Sequence, residues 1–176
     1  MVQQISFLCI LCLLFSCKPY QDSDPFTDPR LVNKYCNIPS AINYNWNFPG
    51  VEDNSTCIFP AQLFSGNYFY RDSIYNSTGL PIGYDSFPLV FTAIDTTRLR
   101  IDGFCTGPAI TAKANRYYKL VLDSVIKNGQ VLCGMPDTIS GRGSKTDIYD
   151  TTSIKLIYET SNDSTIHFHV GTATKQ

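Results

Sequence analysis

Histidines are the first side chains to examine for chemistry, because imidazole serves both as a general base and as a metal ligand. The chain contains two, His167 and His169. Residues two apart on a β-strand point to the same face, so this pair has the spacing of neighbouring metal ligands. However, Ile166, Phe168 and Val170 alternate with the histidines and predict the buried face of the strand. We therefore expect both imidazoles to face solvent, and the sequence predicts no metal site and no cofactor.

The usual sequence motifs of catalysis are missing. There is no Gly-x-Ser-x-Gly nucleophile motif, no His-Glu-x-x-His zinc motif and no glycine-rich phosphate loop. The sequence therefore predicts no catalytic residues and no enzymatic activity, and a hydrolase that uses surface carboxylates is the least favoured alternative. The formal net charge is −1 and no basic patch stands out, which argues against nucleic acid as a partner.

The N-terminus carries an apolar run from Ile5 to Phe15, which has the length of a signal-peptide core and is too short to span a bilayer comfortably. The run ends in Leu14-Phe15-Ser16-Cys17. This segment resembles the lipobox of bacterial lipoproteins. The resemblance implies that residues 1–16 are a signal peptide and that Cys17 carries the lipid, such as palmitate. It also implies an extracytoplasmic protein anchored to a bacterial membrane, with the outer membrane favoured.

Cysteine positions in the rest of the chain indicate disulfides. Cys36, Cys57, Cys105 and Cys133 remain after the signal peptide and the anchor are set aside. An even number of cysteines in an exported chain implies disulfide bonds rather than thiolate metal ligands. Four cysteines permit three pairings. We prefer Cys36–Cys57 and Cys105–Cys133, because each pair closes a local loop of roughly 20 to 30 residues. Each such loop would contribute about 3 kcal/mol in the chain-entropy model.

Three aromatic residues alternate between the first two of these cysteines. Tyr44, Trp46 and Phe48 lie in a segment rich in Asn and Pro that has no clear period. Exposed aromatic rings beside Asn amides suit a sugar ring or the surface of a partner. The alternative is that the three rings cover one end of the domain. We consider them the candidate ligand-binding residues.

Period-two patterns recur along the remainder of the chain. Arg98-Leu99-Arg100-Ile101-Asp102 alternates polar and apolar residues strictly, and Ile154, Leu156 and Tyr158 share one face of a later segment. Gly, Asn, Asp and Pro separate the segments. The fold class is therefore all-β, as an antiparallel meander of about eight strands that closes as a barrel or folds as a β-sandwich.

The division of the chain follows from these features. Residues 17–35 are polar and contain prolines, which predicts a flexible tether. Residues 36–60 form the disulfide-stapled loop, and residues 61–176 form the β-domain. The opening Gly66-Asn-Tyr68 strand and the later Ile139-Ser-Gly-Arg-Gly143 segment resemble lipocalin-like barrels of small bacterial lipoproteins. The resemblance favours the barrel over the sandwich.

Function follows only in outline from the sequence. We expect a non-enzymatic binding module, held at a membrane through Cys17, for a small ligand, a glycan or an envelope protein. The alternative is an interaction or structural subunit of a surface complex. A ligand carrier requires a cavity inside the barrel, whereas an interaction module requires an exposed apolar patch.

Overall fold

The computed structural model describes residues 29–46, 49–105, 109–122, 130–132, 137–162 and 164–176. The described residues fall into two compact units, one with residues 29–34 and 49–51 and the other with those from 35 to 46 and from 52 to 176. In the first unit, helix α1 spans Pro29–Val32, and the Val51 amide donates to the Asn33 carbonyl at 3.0 Å.

The second unit contains the disulfide loop and the β-barrel. Short elements precede the barrel: strands β1 (Lys34–Tyr35) and β2 (Val51–Glu52), a 3-10 helix at Asn54–Thr56, and helix α2 (Pro60–Phe64). Strands β3 to β11 then follow, with bounds Gly66–Tyr75, Pro81–Ala93, Arg98–Asp102, Ile110–Ala114, Lys119–Leu122, Gln130–Val131, Thr138–Ser144, Ser153–Ser161 and Ile166–Lys175.

Eight of these strands form a closed antiparallel barrel. Neighbours in the sheet follow the order β10-β11-β3-β4-β5-β6-β7-β9, and a further pairing of β9 with β10 closes the ring. Strand β8 pairs with Thr138 and Ile139 of β9, beyond the part of β9 that pairs with β7. The predicted all-β meander is confirmed. The sandwich alternative is wrong, because a sandwich consists of two separate sheets, whereas here hydrogen bonds run around the whole circumference.

The barrel interior is filled by its own side chains. We call the end where β3 begins the lower end, and the end where β3 finishes the upper end. Helix α2 contributes Ala61 and Phe64, both fully buried, to the core. Its Pro60 fixes the first turn, and the side chain of Gln62 accepts a hydrogen bond from the Phe59 amide. The strands contribute alternate buried residues: Tyr68, Leu89, Phe91, Leu99, Ile101, Ile110, Leu120, Ile139, Ile154 and Leu156.

Two glycines make room for large side chains in this interior. A Cβ atom on Gly141 would lie 2.5 Å from the Cβ of Tyr158, its partner across the β9–β10 pair. A Cβ atom on Gly171 would lie 2.6 Å from Cζ of Tyr70. Gly141 therefore allows close approach of the β10 backbone, and Gly171 leaves space for the Tyr70 ring.

The expected orientation of the last strand is wrong. Ile166 and Phe168 are 42% and 39% exposed and face outward, whereas His169 is 9% exposed and His167 is half-buried. The apolar alternation predicts buried Ile166 and Phe168 and solvent-facing histidines. The reason is a buried carboxylate on the neighbouring strand β3, Asp72, which gives the His169 imidazole a partner inside the barrel.

Candidate functional site

The predicted disulfide between Cys36 and Cys57 is confirmed. Cys36 and Cys57 form a disulfide, with Cα atoms 4.9 Å apart. Cys105 is also disulfide-bonded. Its predicted partner Cys133 lies outside the described residues, as does the predicted anchor Cys17.

Polar side chains inside this loop are used to hold its shape. Asn43 donates from Nδ2 to the Thr56 carbonyl and accepts from the Ile58 amide through Oδ1, both at 2.8 Å. Asp53 caps the 3-10 helix by accepting from the Ser55 amide at 3.0 Å. Across the parts of the chain that are described, no group of three or more His, Cys, Asp or Glu side chains could hold a metal ion.

The aromatic residues predicted to bind a ligand in this loop differ in solvent exposure. Trp46 is 77% exposed, whereas Tyr44 is half-buried and its backbone bridges to Cys36. Phe48 lies outside the described residues. The structure therefore shows one solvent-exposed indole in this loop and does not show a joint surface of the three rings.

A hydrogen-bonded cluster lies inside the upper part of the barrel. Asp72, whose side chain is 1% exposed, accepts a hydrogen bond from the Tyr70 hydroxyl at 3.1 Å and one from the Tyr158 hydroxyl at 3.0 Å. His169 Nδ1 lies 2.6 Å from Asp72 Oδ2, and its Nε2 lies 3.0 Å from Oγ1 of Thr160. We call these five residues the Asp72 cluster. Strands β3, β10 and β11, which are adjacent in the barrel, supply all of them.

Aromatic packing fixes the rings of the Asp72 cluster. The Tyr158 and His169 rings stack with centroids 4.4 Å apart and planes 7° apart. Phe104 packs edge-on against Tyr158 at 5.3 Å. Burial and the neighbouring Asp72 carboxylate raise the pKa of Tyr70 well above its usual value. Burial also raises the pKa of Tyr158, with Tyr70 and Asp72 adding to the effect. Both tyrosines therefore act as neutral hydrogen-bond donors to the carboxylate.

The Asp72 cluster borders a small polar cavity at the upper rim, which we call the rim cavity. It has a volume of about 170 Å³. Thr160 is the member of the cluster that lines it, and the other lining residues are Asp137, Ser161, Asn162, Thr165 and His167. Thr160 and His167 are direct cross-strand partners.

The outer wall of the barrel carries a larger feature, which we call the outer groove. Two adjoining depressions of about 500 and 560 Å³ share Val121, Arg142 and Ile157. These three residues lie in register on β7, β9 and β10. Phe168 and Glu159 extend the groove toward the upper end, and Lys119 and Lys155 border it toward the lower end.

The positive charges of the outer groove lack carboxylate partners. Lys119 and Lys155 both lie opposite Ser144 in the register, and Arg142 lies between Val121 and Ile157. Elsewhere in the described residues, Arg98 pairs with Asp95 and Arg100 pairs with Asp102. Lys119, Arg142 and Lys155 form no ion pair with any of the described residues. The groove thus combines an apolar floor with three unpaired cations.

Comparisons with known proteins give no family for this chain. No protein-family model matches it, and a search of curated proteins finds no similar sequence. In the described part of the chain, no helix is long and apolar enough to cross a membrane.

Sequence reasoning missed both the Asp72 cluster and the outer groove. One signal for the cluster was available: Asp72 stands in phase with Tyr68 and Tyr70 on a strand, and therefore on their buried face. Two of its partners, Tyr158 and His169, lie 86 and 97 residues further along the chain, so sequence spacing could not reveal them.

Proposed function

We propose that this chain is an exported, lipid-anchored module that binds an envelope partner through the outer wall of its barrel. The observation that carries the proposal is the outer groove, where Val121 and Phe168 are 51% and 39% exposed. The cations beside them form no ion pair with the described residues. Exposed apolar surface rimmed by polar residues is typical of protein interaction sites. The lipobox resemblance and the Cys36–Cys57 disulfide support an extracytoplasmic location.

The packed interior favours this role over that of a ligand carrier. A carrier needs space at the barrel centre, and eight-stranded barrels have room either for side chains or for one small ligand. Here Leu89, Leu99, Leu120, Ile139 and Ile154 are all fully buried in the interior. A bound molecule would have to displace these side chains, at a cost of several kcal/mol for each cavity opened.

The chemistry of the outer groove defines the kind of partner that it suits. Val121, Ile157 and Phe168 offer apolar contact, and Arg142 stands in the same row as the first two. Arginine beside apolar surface is enriched at protein interfaces, because its planar head pairs with carboxylates. The groove therefore suits a protein segment that presents apolar side chains together with Asp or Glu.

Site-specific crosslinking tests the proposed function. A photoreactive phenylalanine analogue replaces Val121 in the groove, and the same analogue at Thr92 on β4 serves as the exposed control. We expect irradiation of intact cells to yield a crosslinked species of one defined mass from position 121, and none from position 92. Equal crosslinking at both positions, or none at position 121, would contradict a partner at the outer groove.

Charge reversal gives a second readout in the same experiment. Arg142→Glu removes the cation at the centre of the groove without changing the interior, because Arg142 is exposed. We expect this change to reduce the crosslinked species from position 121 by about tenfold or more, as for a charge paired across an interface.

A further inference from the structure

We propose that Thr160 is a nucleophile, activated by His169 and Asp72, that accepts an acyl group from a short-chain ester in the rim cavity. This inference goes beyond the binding role proposed above and does not depend on it. It also departs from the sequence-based expectation of no enzymatic activity. It rests on three groups that are connected in series by hydrogen bonds: the Asp72 carboxylate, the His169 imidazole and the Thr160 hydroxyl.

The hydrogen bonds set the direction of proton transfer. An ionised carboxylate only accepts, so Asp72 holds the proton of His169 on Nδ1, 2.6 Å away. In the neutral imidazole, Nε2 is then an acceptor, and the Thr160 hydroxyl donates to it at 3.0 Å. A hydroxyl hydrogen-bonded to a base, which a carboxylate orients in turn, is the arrangement that activates serine and threonine nucleophiles.

The surrounding residues hold this arrangement in place. The stacked Tyr158 ring fixes the plane of the His169 imidazole. The Tyr70 and Tyr158 hydroxyls fix both oxygens of Asp72. The carboxylate therefore cannot rotate away from His169 without losing a hydrogen bond, which is the preorganisation that a catalytic base requires.

The rim cavity provides access and hydrogen-bond donors. Thr160 lines it, and about 170 Å³ accommodates an acetyl-sized group rather than a long chain. Asn162 accepts three hydrogen bonds through Oδ1, from the Ser164 amide and from the amide and hydroxyl of Thr165. Its Nδ2 hydrogens have no partner among the described residues. This amide and the His167 ring line the cavity and supply N–H groups for the oxyanion of a tetrahedral intermediate.

The proposed reaction is a balanced acyl transfer. Thr160 Oγ1 attacks the carbonyl carbon of the ester, and its proton passes to His169 Nε2. The bond from this carbon to the leaving oxygen then breaks, and the leaving oxygen takes the proton from His169. The products are an acyl-threonine ester and an alcohol. Water, activated by His169 in the same way, hydrolyses the acyl-threonine to a carboxylic acid and regenerates Thr160.

Acetylation by p-nitrophenyl acetate tests this proposal on the full chain. We expect a burst of p-nitrophenolate and an acetyl group on Thr160, located by peptide mass spectrometry. Thr160→Val keeps the branched shape and abolishes both signals, whereas Thr160→Ser keeps the hydroxyl and retains them. Thr172→Val, which removes an exposed hydroxyl on the outer wall, is the matched control and leaves them unchanged.

Asp72 is a positioning residue in this scheme, and its test separates binding from chemistry. We expect Asp72→Asn to lower the rate constant of acetylation by at least about 100-fold while the concentration of half-saturation stays unchanged. Circular dichroism melting identifies any variant that fails to fold, in which case the Thr160→Val and Thr160→Ser pair decides alone. No acetyl group on Thr160 of the unmodified chain, or equal acetylation of Thr160 in a folded Asp72→Asn variant, would overturn the proposal.

Discussion

Asp72 shows how one residue can set the orientation of a whole strand. Its side chain is buried and accepts hydrogen bonds from two tyrosines and one histidine. A buried carboxylate without partners costs several kcal/mol, so its partners must face inward as well. His169 consequently points into the barrel and Phe168 points out of it, against the apolar alternation of β11.

Tyr68 differs from Asp72, because its buried hydroxyl has no hydrogen-bond partner among the residues that the structure describes. Burial, with a smaller contribution from the Asp150 charge, raises the pKa of Tyr68 to about 12. The unfolded chain therefore loses this proton near pH 10, before the folded chain does. The stability linked to Tyr68 is full below pH 10 and is lost as the pH rises toward 12.

We predict that Tyr68→Phe raises the free energy of unfolding by about 1 kcal/mol at neutral pH, because no buried donor is left unsatisfied. Between pH 10 and 12, the variant should lose less stability than the unmodified chain. Urea unfolding at a series of pH values measures both effects. Tyr149→Phe, at an 86% exposed position, is the control and should change neither. An identical pH dependence in the Tyr68→Phe variant would contradict the assignment.

At the scale of elements, close approach between strands depends on glycine. A Cβ atom on Gly171 would meet both the Arg71 carbonyl oxygen and the Tyr70 ring, so β11 can pack on β3 only without a side chain there. We predict that Gly171→Ala lowers the free energy of unfolding by about 1–3 kcal/mol. Gly83→Ala on β4 is the matched control, because no atom lies within 4 Å of its added Cβ. Denaturant titration measures both, and equal stability would contradict this packing argument.

Strand existence was far more predictable than strand orientation. The alternation of Leu99 with Ile101, and of Ile154, Leu156 and Tyr158, identified buried faces that the structure confirms. These segments have apolar residues on one face only. Strand β11 has apolar residues on one face and histidines on the other, so its orientation depended on Asp72, a partner distant in sequence.

The candidate sites were also not predictable from local sequence patterns. The outer groove forms where β7, β9, β10 and β11 meet, and only the register brings Val121, Arg142 and Ile157 into one row. Sequence patterns favoured the aromatic loop, since Tyr44 and Trp46 are neighbours in the chain. Local spacing can indicate an aromatic segment, but it carries no information about which strands become adjacent.

At the scale of the whole molecule, the proposed lipid anchor determines where the barrel works. We predict that Cys17→Ala moves the protein from the membrane fraction to the soluble fraction, because a cysteine thiol is needed for the acyl chains. Fractionation followed by immunoblotting measures this. Cys12→Ala, in the apolar run before the anchor, is the control and should leave the protein membrane-bound. Continued membrane association of Cys17→Ala would refute the anchor.

The pairing of β11 with β3 has a consequence for the protein during export. If the chain crosses a membrane from its N-terminus, β3 emerges long before β11, its neighbour in the finished ring. Until β11 arrives, the edges of β3 and β10 remain open, and open edges pair readily with other chains. Aggregation during secretion should therefore depend most on how quickly residues 166–175 follow the rest of the barrel. Slower export of these residues should therefore increase the population of an incomplete barrel whose open strand edges can pair with other chains.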